Sequence, residues 1–239
     1  MNYTKYFKSG QKILLRPLAP AEQGHGGESL TVYFRDFSQG MFELELPYRS
    51  EQEEAYPFDE AILLELLSDA FGVGIRTTAR FCDSPAAHLI RVEPTAELSL
   101  FQRRIKARAD LSIGLRYTRG LGKLRSFREQ WRKNVQILAA GTDLSRLGNS
   151  PRCTVNLSGS GIRFLLKPPV AMAELVLLLL ELVPGEAPIC ALAEIAWVGA
   201  PEATGLVAAG MRFVNIQGKD QKRIELLVQA ANSPSPAAP

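Results

Sequence analysis

Histidine and cysteine are scarce in this sequence. Among 239 residues there are two histidines, His25 and His88, and three cysteines, Cys82, Cys153 and Cys190, far apart and in no CxxC spacing. That supply excludes a disulfide framework and a zinc site of the usual spacings, and it points to a reducing compartment. A multi-histidine metal centre or a Ser/His/Asp triad has equally little to draw on. His25 lies in the loop-like EQGHGGES, His88 leads into the strand-like HLIRV, and both read as structural. Long apolar runs are missing too. The longest, VAMAELVLLLLELV from Val170 to Val183, is broken by Glu174 and Glu181 and falls short of the ~20 residues of a membrane helix, so it belongs to a core. The N-terminal MNYTKYFKSGQKILL has no apolar stretch of signal-peptide length, and the expected location is the cytoplasm. Nor does one charge sign dominate: 28 Lys and Arg against 25 Asp and Glu leave a net +3, too mild for a general nucleic-acid binder.

What is present is an ordinary globular composition, 46% hydrophobic and 22% charged, in a chain long enough for two domains. From Lys12 to Val92 the apolar residues alternate with polar ones in short runs, KILLRPL, LTVYFRDF, MFELELPY, FGVGIRTTARF and AHLIRVEP. Gly, Pro and Asp stand at the breaks, which predicts antiparallel strands closing into a small barrel or sandwich. DEAILLELLSDAF, Asp59 to Phe71, reads either as a helical turn or as buried strand, and its carboxylates Asp59, Glu60, Glu65 and Asp69 as solvated surface. In residues 120–149 the period changes: Leu124, Phe127, Trp131, Val135 and Leu138 recur at helical spacing with a basic opposite face. Strand patterns then return, followed by a short helix in KDQKRIELLVQAA and a disordered tail, NSPSPAAP. The expected fold is mainly β, two barrel domains in tandem. Residues 1–97 form the first and 98–108 the connection. Residues 109–230 form the second, with the helical insertion at about 120–149, and residues 231–239 the tail.

Two short stretches carry chemistry. FQRRIKAR places Arg103, Arg104 and Arg108 in the connection. A guanidinium is planar and permanently charged, so it forks onto phosphate or guanine acceptors and also stacks on a base. NLSGSG places Asn156 and Ser158 two residues apart at a strand end, on one face, with Gly159 and Gly161 allowing close backbone approach. Together they suit a guanine nucleotide on a barrel surface. Singly, each has a plainer reading as solvated linker or hairpin end. RGLGKL lacks the spacing and hydroxyl of a P-loop, GSG has no βαβ context, and no nucleophile is paired with a base, so no enzyme activity and no cofactor are expected.

With RIKAR supplying Arg104 and Arg108 as RxxxR, and NLSGSG supplying Asn156, Ser158 and Gly161 as (D/N)xSxxG, the chain resembles the PilZ-domain proteins, receptors of cyclic di-GMP. The similarity covers roughly residues 98–230, including the GMRFVNI strand and the DQKRIELLVQ helix. The preceding module resembles the N-terminal split barrel of flagellar-brake-type members. The resemblance implies a six-stranded split barrel in which the arginines grip guanine and phosphate while Asn156 and Ser158 meet the ligand's other face. It implies a receptor acting on motility, attachment or exopolysaccharide; the arginines in the connection and Asn156 in the second barrel add the expectation that binding reorients the domains. Its protein partner would lie in the flagellar motor, the pilus or the polysaccharide machinery. REQWR offers a second RxxxR, Arg128 and Arg132, on the expected helix; there solvated pairing or partner contact is the usual outcome. The rival reading is a nucleotide-independent adaptor that binds a protein or nucleic acid through this basic helix, with Trp131 and Phe127 nearby.

Overall fold

The computed structural model describes residues 3–18, 30–47, 62–70, 73–86, 88–101, 106–120, 124–141 and 150–233. They divide into two compact units, 1–105 with 123–125, and 106–122 with 126–239. The first unit is antiparallel: β1 (Lys12–Pro17), β2 (Leu30–Ser38), β3 (Met41–Glu45), β4 (Leu63–Ala70), β5 (Val73–Ala86), β6 (Leu89–Pro94) and the short β7 (Ser99–Phe101). Strand order β4-β1-β2-β3-β6-β5, closed by a β4–β5 pairing, makes a six-stranded barrel with β7 added along β5. Alternation decides the inside. Ile13 and Leu15, Leu30 and Val32, Phe42 and Leu44, Leu64 and Leu66, and Ile90 and Val92 are all fully buried. Each such aliphatic side chain contributes about 2 kcal/mol.

The ambiguous stretch 59–71 resolves as β4 over Leu63–Ala70, with residues up to 61 outside the described set. Glu65 corrects an expectation. Instead of a solvated carboxylate it is buried, because the β1–β4 register sets it opposite Arg16, which bonds and neutralises it. His25 and residues 234–239 lie outside the described residues, whereas His88 is an exposed turn residue before β6.

The second unit is a closed barrel of β8 (Ala109–Gly120), β9 (Arg152–Ser158), β10 (Gly161–Leu166), β11 (Leu175–Glu181), β12 (Ile189–Pro201) and β13 (Val207–Ile216), in the order β10-β13-β12-β11-β8-β9. Between β8 and β9 stands α1 (Leu124–Ala139), the helix read from the sequence; after β13 comes α2 (Gly218–Asn232), which takes in residues 231 and 232. Ile224 and Val228 of α2 enter the barrel core beside Ile113, Leu157, Ile162 and Met211. The apolar run around Leu175–Leu180 is one strand buried on both faces. Val176, Leu178 and Leu180 line the core, and the outward Leu175 and Leu177 are buried as well. α1 lies on the outer face at the start of β12, where Trp131 Nε1 donates to the Cys190 carbonyl at 3.1 Å. Burial pushes the Cys190 thiol up to about 12, which leaves it inert.

Candidate ligand-binding surface on the second barrel

The candidate surface grows out of strand alternation. In β9, Val155 and Leu157 point into the core, so Asn156 and Ser158 point outward. In β10 the inward residues are Ile162 and Phe164, which leaves Arg163 outside; in β13 they are Ala209 and Met211, which leaves Gly210 outside. Register joins these positions. Asp110 of β8 pairs with Asn156, Asn156 with Arg163, Arg163 with Gly210, and Gly210 with Trp197 of β12. One row thus crosses five strands on the outer face of the barrel.

Trp197 belongs to this row because of a β-bulge. Ile195 faces the core, and strict alternation would put Trp197 inside as well. An extra residue between Ile195 and Trp197 shifts the register and turns the indole outward. There it lies over Gly210, where a Cβ would collide with the indole nitrogen, and reaches Gly199. The ring is 42% exposed, a flat aromatic surface open to a stacking partner.

The NxSxxG turn between β9 and β10 is packed by the protein itself. Ser158 is only 1% exposed. Its hydroxyl donates to the Gly161 carbonyl at 3.2 Å and accepts from the Ser160 N–H at 3.3 Å, so it closes the turn. Gly159 faces α2: a Cβ there would strike the Glu225 side chain, and Gln221 Nε2 donates to the Gly159 carbonyl at 2.8 Å. Gly161 lies against the backbone of β13, where a Cβ would overlap the Met211 carbonyl oxygen. The clearance these glycines supply is taken up by α2 and β13.

Arg108 stands one residue before β8, exposed, with its carbonyl accepting from Asn232 Nδ2 of α2 at 3.0 Å. Its neighbour Ala109 pairs with Leu157, which brings the arginine to the turn end of β9. Lys106 forms an ion pair with Glu225, the residue that also covers Gly159. α2 therefore fastens the start of β8 and the NxSxxG turn together. Arg103 and Arg104 lie outside the described residues. Of the alternative pair, Arg128 is half-buried and Arg132 exposed, both on α1. Trp131 and Phe127 are half-buried, and the Trp131 indole donates to the Cys190 carbonyl.

Asp110, Arg163 and Trp197 are the surface residues that sequence reasoning missed. A charged residue between two core positions of GIRF signals Arg163; the bulge that exposes Trp197 leaves no mark in the sequence. Among the described residues no group of three or more His, Cys, Asp or Glu is placed to hold a metal, and no helix is long and apolar enough to cross a membrane.

The family model for the PilZ domain matches residues 126–230. The match begins inside α1, so it takes in Arg128, Arg132 and the whole NxSxxG turn, while Arg104, Arg108 and β8 precede it. No curated protein sequence matches significantly. Similar solved structures include the inhibitor of motility MotI/DgrA of Bacillus subtilis, at 14% identity over 94% of this chain and 97% of that one, TM-score 0.36. YcgR of Escherichia coli in complex with c-di-GMP is 13% identical over 92% of this chain and 83% of that one, TM-score 0.34. The K. pneumonia MrkH–c-di-GMP complex is 13% identical over 92% and 86%, TM-score 0.33. With the barrel, its NxSxxG turn and the family match in place, this chain carries a PilZ domain over residues 126–230, in a barrel whose first strand, β8, precedes the matched segment.

Proposed function

We propose that this chain is a cytoplasmic, non-enzymatic effector of cyclic di-GMP, bound on the outer face of the second barrel. The observation that supports it most is the pairing of Asn156 with Arg163 inside the PilZ match, with Arg108 one residue before β8 and an exposed indole in the same row. Guanidinium groups fork onto phosphate and onto guanine N7 and O6, an amide meets the Watson–Crick edge, and Trp197 offers a stacking plane. Ser158 and Gly161 serve by shaping the turn that presents Asn156. The test is titration calorimetry with cyclic di-GMP, GTP and cyclic di-AMP. Binding of cyclic di-GMP is expected, with the adenine dinucleotide at least about tenfold weaker, because adenine presents an N6 donor where guanine presents the O6 acceptor. Equal affinity for the two dinucleotides would overturn the guanine reading.

The output belongs to motility, attachment or exopolysaccharide control, through a protein partner. Its trigger in this proposal is a change in domain arrangement. Arg103 and Arg104 occupy the connection and Asn156 the second barrel, so a ligand held by both fixes the connection. A ligand shifts such an equilibrium only by its differential affinity for the arrangements, and an undocked connection offers it fewer contacts. Small-angle scattering of the whole chain is expected to change on saturation with cyclic di-GMP. Identical profiles would refute reorientation and leave the bound nucleotide as part of the partner's docking surface.

A further inference from the structure

Asp110 lies outside both signature motifs, yet it touches two members of the row. Asn156 Nδ2 donates to its Oδ1 at 2.9 Å, and the Arg163 guanidinium approaches the same oxygen at 3.6 Å. The first contact has a chemical consequence. A side-chain amide carries two donors at one end and an acceptor at the other, and its two orientations differ only in which end faces which neighbour. With a carboxylate on one side the choice is decided. The amide N–H toward Asp110 makes a charge-assisted bond, whereas the flipped form would set two oxygens against each other. Oδ1 of Asn156 is thereby turned away from Asp110, and among the described residues it accepts no hydrogen bond.

We infer that Asp110 is the positioning residue that makes Asn156 a guanine reader, an inference that rests on the cyclic di-GMP reading above. Guanine carries N–H donors at N1 and N2, which an acceptor satisfies; adenine carries an acceptor at N1, which the same oxygen repels. An amide free to flip would serve either base. With its nitrogen end held by Asp110, Asn156 is left to present its acceptor Oδ1 to the base, the role an aspartate would fill at that position without assistance. Asp110 itself need not touch the ligand.

The experiment compares affinities for cyclic di-GMP and cyclic di-AMP, by calorimetry on the whole chain. Asp110→Ala is expected to cut the guanine-to-adenine preference about tenfold, the effect of one hydrogen bond gained by one base and lost by the other. Adding Asn156→Asp to Asp110→Ala is expected to restore the preference, because a carboxylate has no donor end. A purely electrostatic role for Asp110 gives a different result. Removing a negative charge beside an anionic ligand would strengthen both dinucleotides by the same factor and leave their ratio alone, and that outcome overturns the proposal. So does an Arg163→Ala variant that loses the preference to the same extent, since Asp110 would then act through Arg163. Asp110 is 70% exposed at its side chain, so an unchanged unfolding midpoint is expected for the alanine variant. Should the unaltered chain bind no cyclic di-GMP at all, the functional reading itself fails; normal binding with an unmoved ratio in Asp110→Ala sinks this inference alone.

Discussion

Gly161→Ala is expected to destabilise the second barrel by about 2 kcal/mol and Gly161→Val by more, on the scale of overpacking a closed interior. The reason is steric. Gly161 is the residue where two ladders meet, paired with Ser158 of β9 on one side and with Arg212 of β13 on the other. A Cβ there runs into the Met211 carbonyl oxygen and comes close to Arg212 Cα, backbone atoms that cannot rotate away. Relief requires β10 and β13 to separate at the turn end, and with them the position of Asn156. Gly161 is not among the residues of positive φ, so an asparagine, which rescues left-handed turn glycines, is expected to be as damaging here as alanine. Gly159 is the instructive contrast. Its Cβ would meet Glu225 from Cγ to Oε1, side-chain atoms rather than backbone, so Gly159→Ala is expected to cost less. Denaturant unfolding monitored by tryptophan fluorescence measures all four. A Gly161→Ala midpoint equal to that of the unaltered chain would show that the strands have slack which the close approach denies.

The same glycine marks a limit of what alternation discloses. The spacing of NLSGSG shows a strand end with two outward polar groups and a glycine-broken turn, and the structure has that arrangement. The spacing does not show what presses on the turn. Gly159 and Gly161 read as openings toward a ligand, whereas α2 and β13, 60 and 50 residues away in the chain on a rough count, fill those spaces by long-range packing. The amphipathic period of Leu124, Phe127, Trp131, Val135 and Leu138 marks α1, since a helix lying on a barrel must bury one stripe. Glu65 and Asp110 illustrate the converse. A carboxylate's partner comes from another strand, and pairing register decides it: Arg16 for Glu65, Asn156 for Asp110. Trp197 is hidden by its bulge, because two-residue periodicity assigns it to the core that Ile195 occupies.

Arg104→Ala and Arg108→Ala are each expected to weaken cyclic di-GMP binding by roughly tenfold or more, from the loss of about 1.5 to 3 kcal/mol of charge-assisted bonding. Arg128→Ala and Arg132→Ala are expected to stay within about twofold, the scatter expected of charges that touch no ligand. The ranking is a real contest, since the family match covers Arg128 and Arg132 and leaves Arg104 and Arg108 outside. Topology favours the outer pair. Arg108 immediately precedes β8, which is hydrogen-bonded to β9 with Asp110 opposite Asn156, so its side chain starts beside the row. α1 rests instead at the start of β12, on Cys190, and in the closed order β10-β13-β12-β11-β8-β9 that strand lies three steps from β9 in either direction. The part of β12 that joins the row is Trp197, and seven residues of strand at ~3.3 Å each separate it from Cys190. Arginines anchored on α1 are thus displaced from Asn156 both around the barrel and along it. Arg108→Lys is expected to lose nearly as much as Arg108→Ala, because an ammonium keeps the charge but neither forks nor stacks. If Arg128→Ala or Arg132→Ala abolished binding while Arg108→Ala left it intact, the working arginines would be those of α1, and the ligand would have to lie against the helix rather than on the face that Asn156, Arg163 and Trp197 share.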